Sequence, residues 1–139
     1  MTLPALIHAT CVAIGGRGVL LAGRSGAGKS DLALRLIDRG ATLVSDDYSE
    51  LSERGGRLIA TPPERLAGKM EVRGIGVIDM PYQTETDVAL IITLDEPVDR
   101  MPEFATRHLA GVDVPAATLA ALEPSAPIKV ELMLREIGR

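Results

Sequence analysis

The residues with the clearest chemical potential lie between Gly23 and Asp47. Gly23–Ser30 reads GRSGAGKS, which matches the spacing G-x-x-x-x-G-K-S. Glycines at these positions let backbone N–H groups turn inward around phosphate oxygens, and the helix that follows adds the partial positive charge of its N-terminus. Lys29 is expected to reach the β- and γ-phosphates, and Ser30 to ligate Mg²⁺ through its hydroxyl. The predicted nucleotide-binding residues are Gly23, Arg24, Ser25, Gly26, Ala27, Gly28, Lys29, Ser30 and Asp31.

Two adjacent carboxylates, Asp46 and Asp47, follow the next predicted strand. In proteins with such a loop, an acid at the tip of a neighbouring strand faces the phosphates and the metal. Consecutive residues point in different directions, so the pair predicts two roles: one carboxylate holds Mg²⁺, and the other accepts a proton from an attacking hydroxyl. A solvated acidic turn is the structural alternative.

A third candidate segment, EVRGIGVID, runs from Glu71 to Asp79. Strand alternation would place Glu71 and Arg73 on one face, and Gly74 and Gly76 would allow a bend or a close backbone approach. An ordinary exposed strand with a Glu–Arg pair is equally compatible with this pattern. Arg100 is a further candidate, since a mobile arginine can stabilise charge on a transferring phosphoryl group. His8, just before the first predicted strand, is another candidate. A simple surface position is the alternative for both residues.

The elements that position the loop form a strand–loop–helix–strand unit. Ala9–Ile14 and Gly18–Ala22 are predicted strands, and the continuous apolar run of the second indicates burial on both faces. Lys29–Asp38 is a predicted helix with Gly40 as its terminating glycine. Thr42–Ser45 is the next strand, and this order predicts a parallel crossover.

The rest of the chain adds antiparallel pieces and one more helix. The further predictions are a hairpin of Ser49–Glu53 and Arg57–Ala60, one strand over Met70–Met80 interrupted by two glycines, an apolar strand over Val88–Leu94, mainly loops with short elements over Asp95–Pro127, and a closing helix over Ile128–Ile137. A strand over IKVEL is an alternative to the closing helix. The predicted fold class is α/β: a P-loop nucleotide-binding domain with a mixed β-sheet, a hairpin insertion and a C-terminal helix.

Length and composition narrow the class of protein. The 139 residues predict one domain spanning 1–139. The net charge of −4 argues against a nucleic-acid surface. The single cysteine, Cys11, fits a reducing cytosol, and no predicted segment is a signal peptide or membrane span. A cytoplasmic protein without a membrane partner is therefore expected. Only two tyrosines and one phenylalanine are present, so a bound base would find few aromatic partners.

Together these motifs resemble the C-terminal catalytic domain of bacterial HPr kinase/phosphorylase, in a short form without a further domain. His8, Gly23–Ser30, Val44–Asp47 and Glu71–Asp79 occur in the order of the family's motifs. The family's signature falls on Glu71, Val72, Arg73, Gly74, Ile75, Gly76, Val77, Ile78 and Asp79. The resemblance covers almost the whole chain and weakens after about Asp95.

The resemblance implies an enzyme that phosphorylates a serine of an HPr-like phosphocarrier, using ATP or pyrophosphate with Mg²⁺. It also implies the reverse phosphorolysis, in which inorganic phosphate yields pyrophosphate, and assembly as a homo-oligomer, typically a hexamer. By the same resemblance Asp46 is expected to be the general base, and Ser30, Asp47 and Glu71 to contact metal. His8 would face the phosphate, and Arg100 would serve phosphorolysis.

Two other functions remain open from the residues alone. One is a regulatory module that binds ATP without transferring phosphate. The other is a small-molecule P-loop kinase, although Asp95–Pro127 is poor in the arginines that line the lids of such enzymes.

Overall fold

The computed structural model describes residues 4–138. The strands are β1 (Ala5–Ile7), β2 (Ala9–Ile14), β3 (Arg17–Ala22), β4 (Thr42–Ser45), β5 (Ser49–Arg54), β6 (Arg57–Thr61), β7 (Lys69–Val72), β8 (Gly76–Asp79), β9 (Thr86–Thr93), β10 (Ala105–Leu109) and β11 (Val112–Thr118). The helices are α1 (Lys29–Asp38) and α2 (Ala126–Ile137), with a 3₁₀ turn at Glu64–Leu66.

A mixed sheet forms the centre of the described chain. Its strands follow the order β1-β5-β6-β9-β3-β2-β4, and β11 pairs in parallel with β9 while carrying β10 at its other side. β3 also runs parallel to β9, with Ala22 opposite Thr93, and Thr93 is in turn opposite Thr118. The carboxyl ends of β3, β9 and β11 therefore meet at one edge of the sheet.

The predicted crossover from β3 through α1 to β4 has the expected direction. β2 lies between the two strands and pairs antiparallel with both, so β3 and β4 run parallel without being neighbours. The helix has the predicted bounds, and its end is stabilised as expected. Gly40 adopts a φ of 112° and donates its N–H to Ile37 O at 3.0 Å, and Ala41 donates to Leu36 O at 3.0 Å. This is the hydrogen-bond pattern of a Schellman motif.

Both faces of the sheet are buried. On one face, Leu90 and Ile92 of β9 join a core that includes Leu36 of α1 and Val130 of α2. On the other face, Ile91 belongs to a second core with residues of β2, β5 and β6. Adjacent residues of β9 thus enter different cores, which explains why its segment Val88–Ile92 is apolar at every position rather than at alternate ones.

Two sequence predictions are wrong and one is incomplete. Asp95–Pro127 is mainly loop with short elements, as predicted, but the prediction did not specify that these elements include the hairpin β10–β11, which extends the sheet. Met70–Met80 is not one interrupted strand but the separate antiparallel hairpin β7–β8, whose turn contains Gly74 at a φ of 89°. The strand alternative for IKVEL is also wrong, since α2 begins at Ala126 and contains that segment.

Smaller differences concern the edges of elements. β1 was not anticipated, and β9 begins at Thr86 rather than Val88. The hairpin β5–β6 is confirmed, with one extra residue on each strand. Cys11 is fully buried, and this burial raises the pKa of its thiol. No helix within residues 4–138 is long and apolar enough to cross a membrane.

Candidate functional site

The loop between β3 and α1 begins at the sheet edge where β9 and β11 also end. Gly26 and Gly28 have φ values of 87° and 93°, which L-residues rarely adopt. Gly28 is the N-cap of α1, and no side chain caps the helix. The first N–H groups of α1 therefore have no side-chain acceptor and can donate to an anion.

Lys29 is bound to the start of this loop. Its Nζ donates to Gly23 O at 2.7 Å and to Arg24 O at 3.0 Å, and only 5% of the residue is exposed. The same Nζ lies 3.9 Å from Asp47 Oδ1. The ammonium group thus lies between the loop and the end of β4, where it can neutralise a bound phosphate.

Asp46 is the buried member of the carboxylate pair. Its Oδ1 accepts hydrogen bonds from Ser30 Oγ at 2.6 Å and Thr10 Oγ1 at 3.2 Å, while Oδ2 accepts the Glu71 N–H at 3.0 Å. Three donors therefore hold the carboxylate in place. Asp46 joins the loop serine, β2 and the β7–β8 hairpin in one network.

Asp47 has a different environment. It adopts the left-handed conformation with a φ of 67°, and about half of its side chain is exposed. Its Oδ1 lies 2.8 Å from His8 Nε2, and the His8 ring stacks on Tyr48 with centroids 4.7 Å apart. The backbone N–H of Asp47 donates to Thr10 Oγ1 at 3.0 Å. Asp47 thus presents an accessible carboxylate that a histidine orients.

The structure brings together Lys29, Ser30, Asp46, Asp47 and His8, as well as the backbone of Glu71. The Glu71 side chain is exposed, and Arg73 lies in the β7–β8 turn rather than beside Glu71 on one strand face. Arg100 is exposed, and within residues 4–138 it forms no hydrogen bond or ion pair with the site. Asp31 pairs with Arg35 at 2.9 Å.

Two contributors were not found from the sequence. Thr10 is fully buried on β2, and its hydroxyl contacts both aspartates. Asp95, directly after β9, accepts the Arg24 N–H at 3.0 Å and so fixes the loop from the other side. A polar residue inside the apolar strand ATCVAI was a usable signal for Thr10, whereas Asp95 had none beyond its place after a strand.

The donors present fit a magnesium ion better than a transition metal. Within residues 4–138, no group of three or more His, Cys, Asp or Glu side chains could enclose a metal. Magnesium needs no such enclosure, because it is typically bound by one or two carboxylates together with water and substrate phosphates. The Ser30 hydroxyl and the Asp46 carboxylate, 2.6 Å apart beside the loop, are oxygen donors of this kind.

Comparisons with known proteins agree with this geometry. A family model described as HPr Serine kinase C-terminal domain matches residues 1–121. HPr kinase/phosphorylase of Clostridium tetani is 47% identical over 75 residues, which are 54% of this chain and 25% of that protein. HPr kinase/phosphorylase of Clostridium acetobutylicum is 40% identical over 97 residues, 65% of this chain and 32% of that protein. The matches thus span only about a quarter to a third of these curated relatives.

A solved structure extends the likeness to nearly the whole chain. The Hpr(Ser) kinase/phosphatase from Coxiella burnetii superimposes with a TM-score of 0.82 and 30% identity, covering 95% of both chains. That match includes the mixed sheet and the C-terminal helix. On the family match and this structural agreement, the resemblance found in the sequence is confirmed: the chain belongs to the family of HPr serine kinase C-terminal domains.

Proposed function

We propose that this protein is a serine kinase and phosphorylase that acts on an HPr-like phosphocarrier protein. It would transfer phosphate from ATP, or from pyrophosphate, to a serine of that carrier. In the reverse direction it would transfer the phosphate of the phosphoserine to inorganic phosphate, which gives pyrophosphate. Family membership and the names of the relatives support the substrate class. One observation carries the chemistry: an accessible carboxylate, Asp47, lies 3.9 Å from Lys29 beside a loop suited to bind phosphate.

The geometry favours exchanging the roles that the resemblance gave to the two aspartates. A base must reach the proton that it abstracts. Asp46 is buried and already accepts three hydrogen bonds, whereas Asp47 is about half exposed. In our proposal Asp47 is the general base, and Asp46 with Ser30 holds Mg²⁺. Bound there, Mg²⁺ would neutralise charge on the β- and γ-phosphates. Glu71, with its exposed side chain, remains a proposed additional metal contact.

The forward reaction needs few protein groups. The serine oxygen of the carrier attacks the γ-phosphorus, the bond to the β-phosphate oxygen breaks, and Asp47 accepts the serine proton. Lys29 balances the phosphate charge, and His8 orients Asp47 through its 2.8 Å contact. In reverse, an oxygen of inorganic phosphate attacks the phosphoserine phosphorus. Pyrophosphate forms as the bond from phosphorus to the serine oxygen breaks, and that oxygen takes a proton from protonated Asp47. The proton released by the attacking hydrogen phosphate restores Asp47.

The surroundings of Asp47 favour a protein acceptor. Tyr48 and Leu6 expose 38% and 62% of their surfaces and line a shallow pocket with Glu50 and the segment 63–66. An open, partly apolar surface is better suited to bind a folded protein than to bind a small molecule. Arg100 remains proposed for phosphorolysis, and we extend the proposal to a cytoplasmic location and to a homo-oligomer, a hexamer by family resemblance.

A transfer assay tests this function. The protein is mixed with Mg²⁺, labelled ATP and the HPr-like protein of the same organism, as wild type and with its candidate serine replaced by alanine. We expect label on the wild-type carrier alone and its release as pyrophosphate after inorganic phosphate is added. Label without such release would restrict the protein to the kinase direction. ATP binding without any label would indicate a regulatory module instead.

A further inference from the structure

The reacting groups lie on one side of the glycine-rich loop. His8 precedes β2, and Asp46 and Asp47 follow β4, whereas β9 and β11 lie on the opposite side of β3. This inference rests on the proposed nucleotide site. If the terminal phosphate faces Asp47, the remainder of the nucleotide extends towards the loops that follow β9 and β11.

The turn that follows β11 touches the helical end of the glycine-rich loop. This turn comprises residues Leu119–Glu123, and Leu119 donates its N–H to Thr93 O at 3.1 Å. A Cβ placed on Gly28 would lie 2.9 Å from Ala121 Cβ and 3.3 Å from Leu122 Cδ2. Leu122 is therefore a neighbour of the N-terminus of α1, where the N–H groups of such a loop are expected to hold the α- and β-phosphates.

The Leu119–Glu123 turn is held in place from α1 and α2. Arg35 of α1 donates to Ala121 O and to Glu123 O, the latter at 3.1 Å, and pairs with Asp31. The Glu123 carboxylate lies 2.8 Å from Lys129 Nζ. The charges around the turn are thus paired with one another. Leu122 itself remains 71% exposed, so the turn presents an apolar surface in a fixed position.

We infer that Leu122 is the contact for the base and ribose of the bound nucleoside triphosphate. An aliphatic side chain offers no hydrogen bonds, so it distinguishes a nucleotide from an inorganic polyphosphate without selecting one base. The two tyrosines are engaged elsewhere, Tyr48 on His8 and Tyr82 against Gly68. Phe104 is exposed but precedes β10, which lies beyond β11 from the glycine-rich loop. Leu122 thus determines preference for ATP over an inorganic donor, while the loop itself binds either through its phosphates.

Titration calorimetry with two ligands tests this role. ATP and inorganic tripolyphosphate, each with Mg²⁺, are titrated into the wild type, Leu122→Ala and Leu122→Met. We expect Leu122→Ala to weaken ATP binding by about fivefold, because the base loses apolar contact area. Tripolyphosphate affinity should be unchanged, and Leu122→Met should retain wild-type affinity for ATP. Leu132→Ala, an exposed leucine of α2, is the matched control.

Each outcome separates this inference from the proposed function. Unchanged ATP affinity in Leu122→Ala would overturn the contact while leaving the phosphate site intact. Equal weakening of both ligands would also overturn it, because Leu122 would then act on the loop rather than on the nucleoside. A wild type that binds neither ligand would reject the nucleotide site itself, and the inference with it. Thermal melting of each variant verifies that the fold is retained.

Discussion

Asp46 and Asp47 are adjacent in the chain but have different surroundings, and Thr10 is the residue that separates them. Its hydroxyl donates to the Asp46 carboxylate and accepts the Asp47 N–H. The sequence predicted a pair with two roles but could not divide them, since alternation alone does not say which carboxylate turns inward. That depends on β2, which lies beside β4 and places Thr10 opposite the strand end.

The division of roles can be tested by two substitutions. We expect Asp47→Asn to lower the rate of transfer by about 10²–10⁴-fold while ATP affinity changes little, because the amide cannot accept the serine proton. Asp46→Asn should instead weaken the dependence of ATP binding on Mg²⁺. Rates come from label transfer, and affinities come from calorimetry with and without Mg²⁺. The reverse pattern would restore Asp46 as the base.

Thr10 should contribute to both folding and activity. We expect Thr10→Val to reduce the free energy of unfolding by about 1–3 kcal/mol, because the Asp47 N–H loses its acceptor and Asp46 loses a donor. Transfer should also fall, since Asp47 is no longer held in its left-handed conformation. Urea denaturation and the transfer assay measure the two effects. Thr10→Ser keeps the hydroxyl and serves as the control, and a valine variant as stable as the wild type would contradict this role.

At the level of elements, helix α1 was predictable to the residue, whereas the two hairpins β7–β8 and β10–β11 were not. The α1 boundaries depend on local signals, namely the loop glycines and Gly40. β10 is exposed along most of its length and β11 contains Pro115, so neither has the apolar alternation of a strand. β11 becomes a strand because it pairs with β9, which is a contact that local sequence does not encode.

An ion pair links the end of α1 to α2. Arg39 donates to both carboxylate oxygens of Glu131, at 2.9 and 2.7 Å. These hydrogen bonds lower the pKa of Glu131 from its ordinary value of 4.5. Because the folded-state pKa is depressed, the pair stabilises the fold above pH 4.5 and loses that effect as the pH falls through the lowered value.

Glu131→Gln should therefore lower the melting temperature slightly at neutral pH. The difference from the wild type should disappear in acid, where Glu131 is protonated in both states. Melting curves recorded from neutral to acidic pH measure this convergence. Glu103→Gln, a change in an exposed carboxylate outside the two helices, controls for the general effect of charge. A difference that persists in acid would show that the amide perturbs packing instead.

For the whole molecule, the apolar runs of β3 and β9 indicated a sheet buried on both faces, and the structure confirms this. The strand order could not be predicted, because the pairing of β2 with β4 joins distant parts of the chain and local sequence does not encode it. The geometry of the candidate site depends on this strand order. His8 and Thr10 approach the aspartates only because β2 occupies that place.

Cys11 provides a probe of global opening. It is fully buried on β2, and burial raises the pKa of its thiol, so we expect almost no reaction with iodoacetamide in the native protein. Denatured protein should be labelled completely. If labelling requires unfolding, ATP at about 100 times its Kd should slow the native reaction by about 100-fold. Labelling rates that are the same with and without ATP would mean that β2 opens locally without release of the nucleotide.

Two constraints require glycine at position 28. Its φ is 93°, and the Leu119–Glu123 turn leaves no room for a side chain there, with or without a ligand. Gly26 is different, because open space surrounds it and only its backbone conformation must be satisfied. In a homologue that bound no nucleotide, packing would still require Gly28, whereas asparagine could adopt the backbone conformation of Gly26. The two glycines of the motif would then differ in conservation. A conserved Gly28 would reflect the packing of the fold rather than phosphate binding.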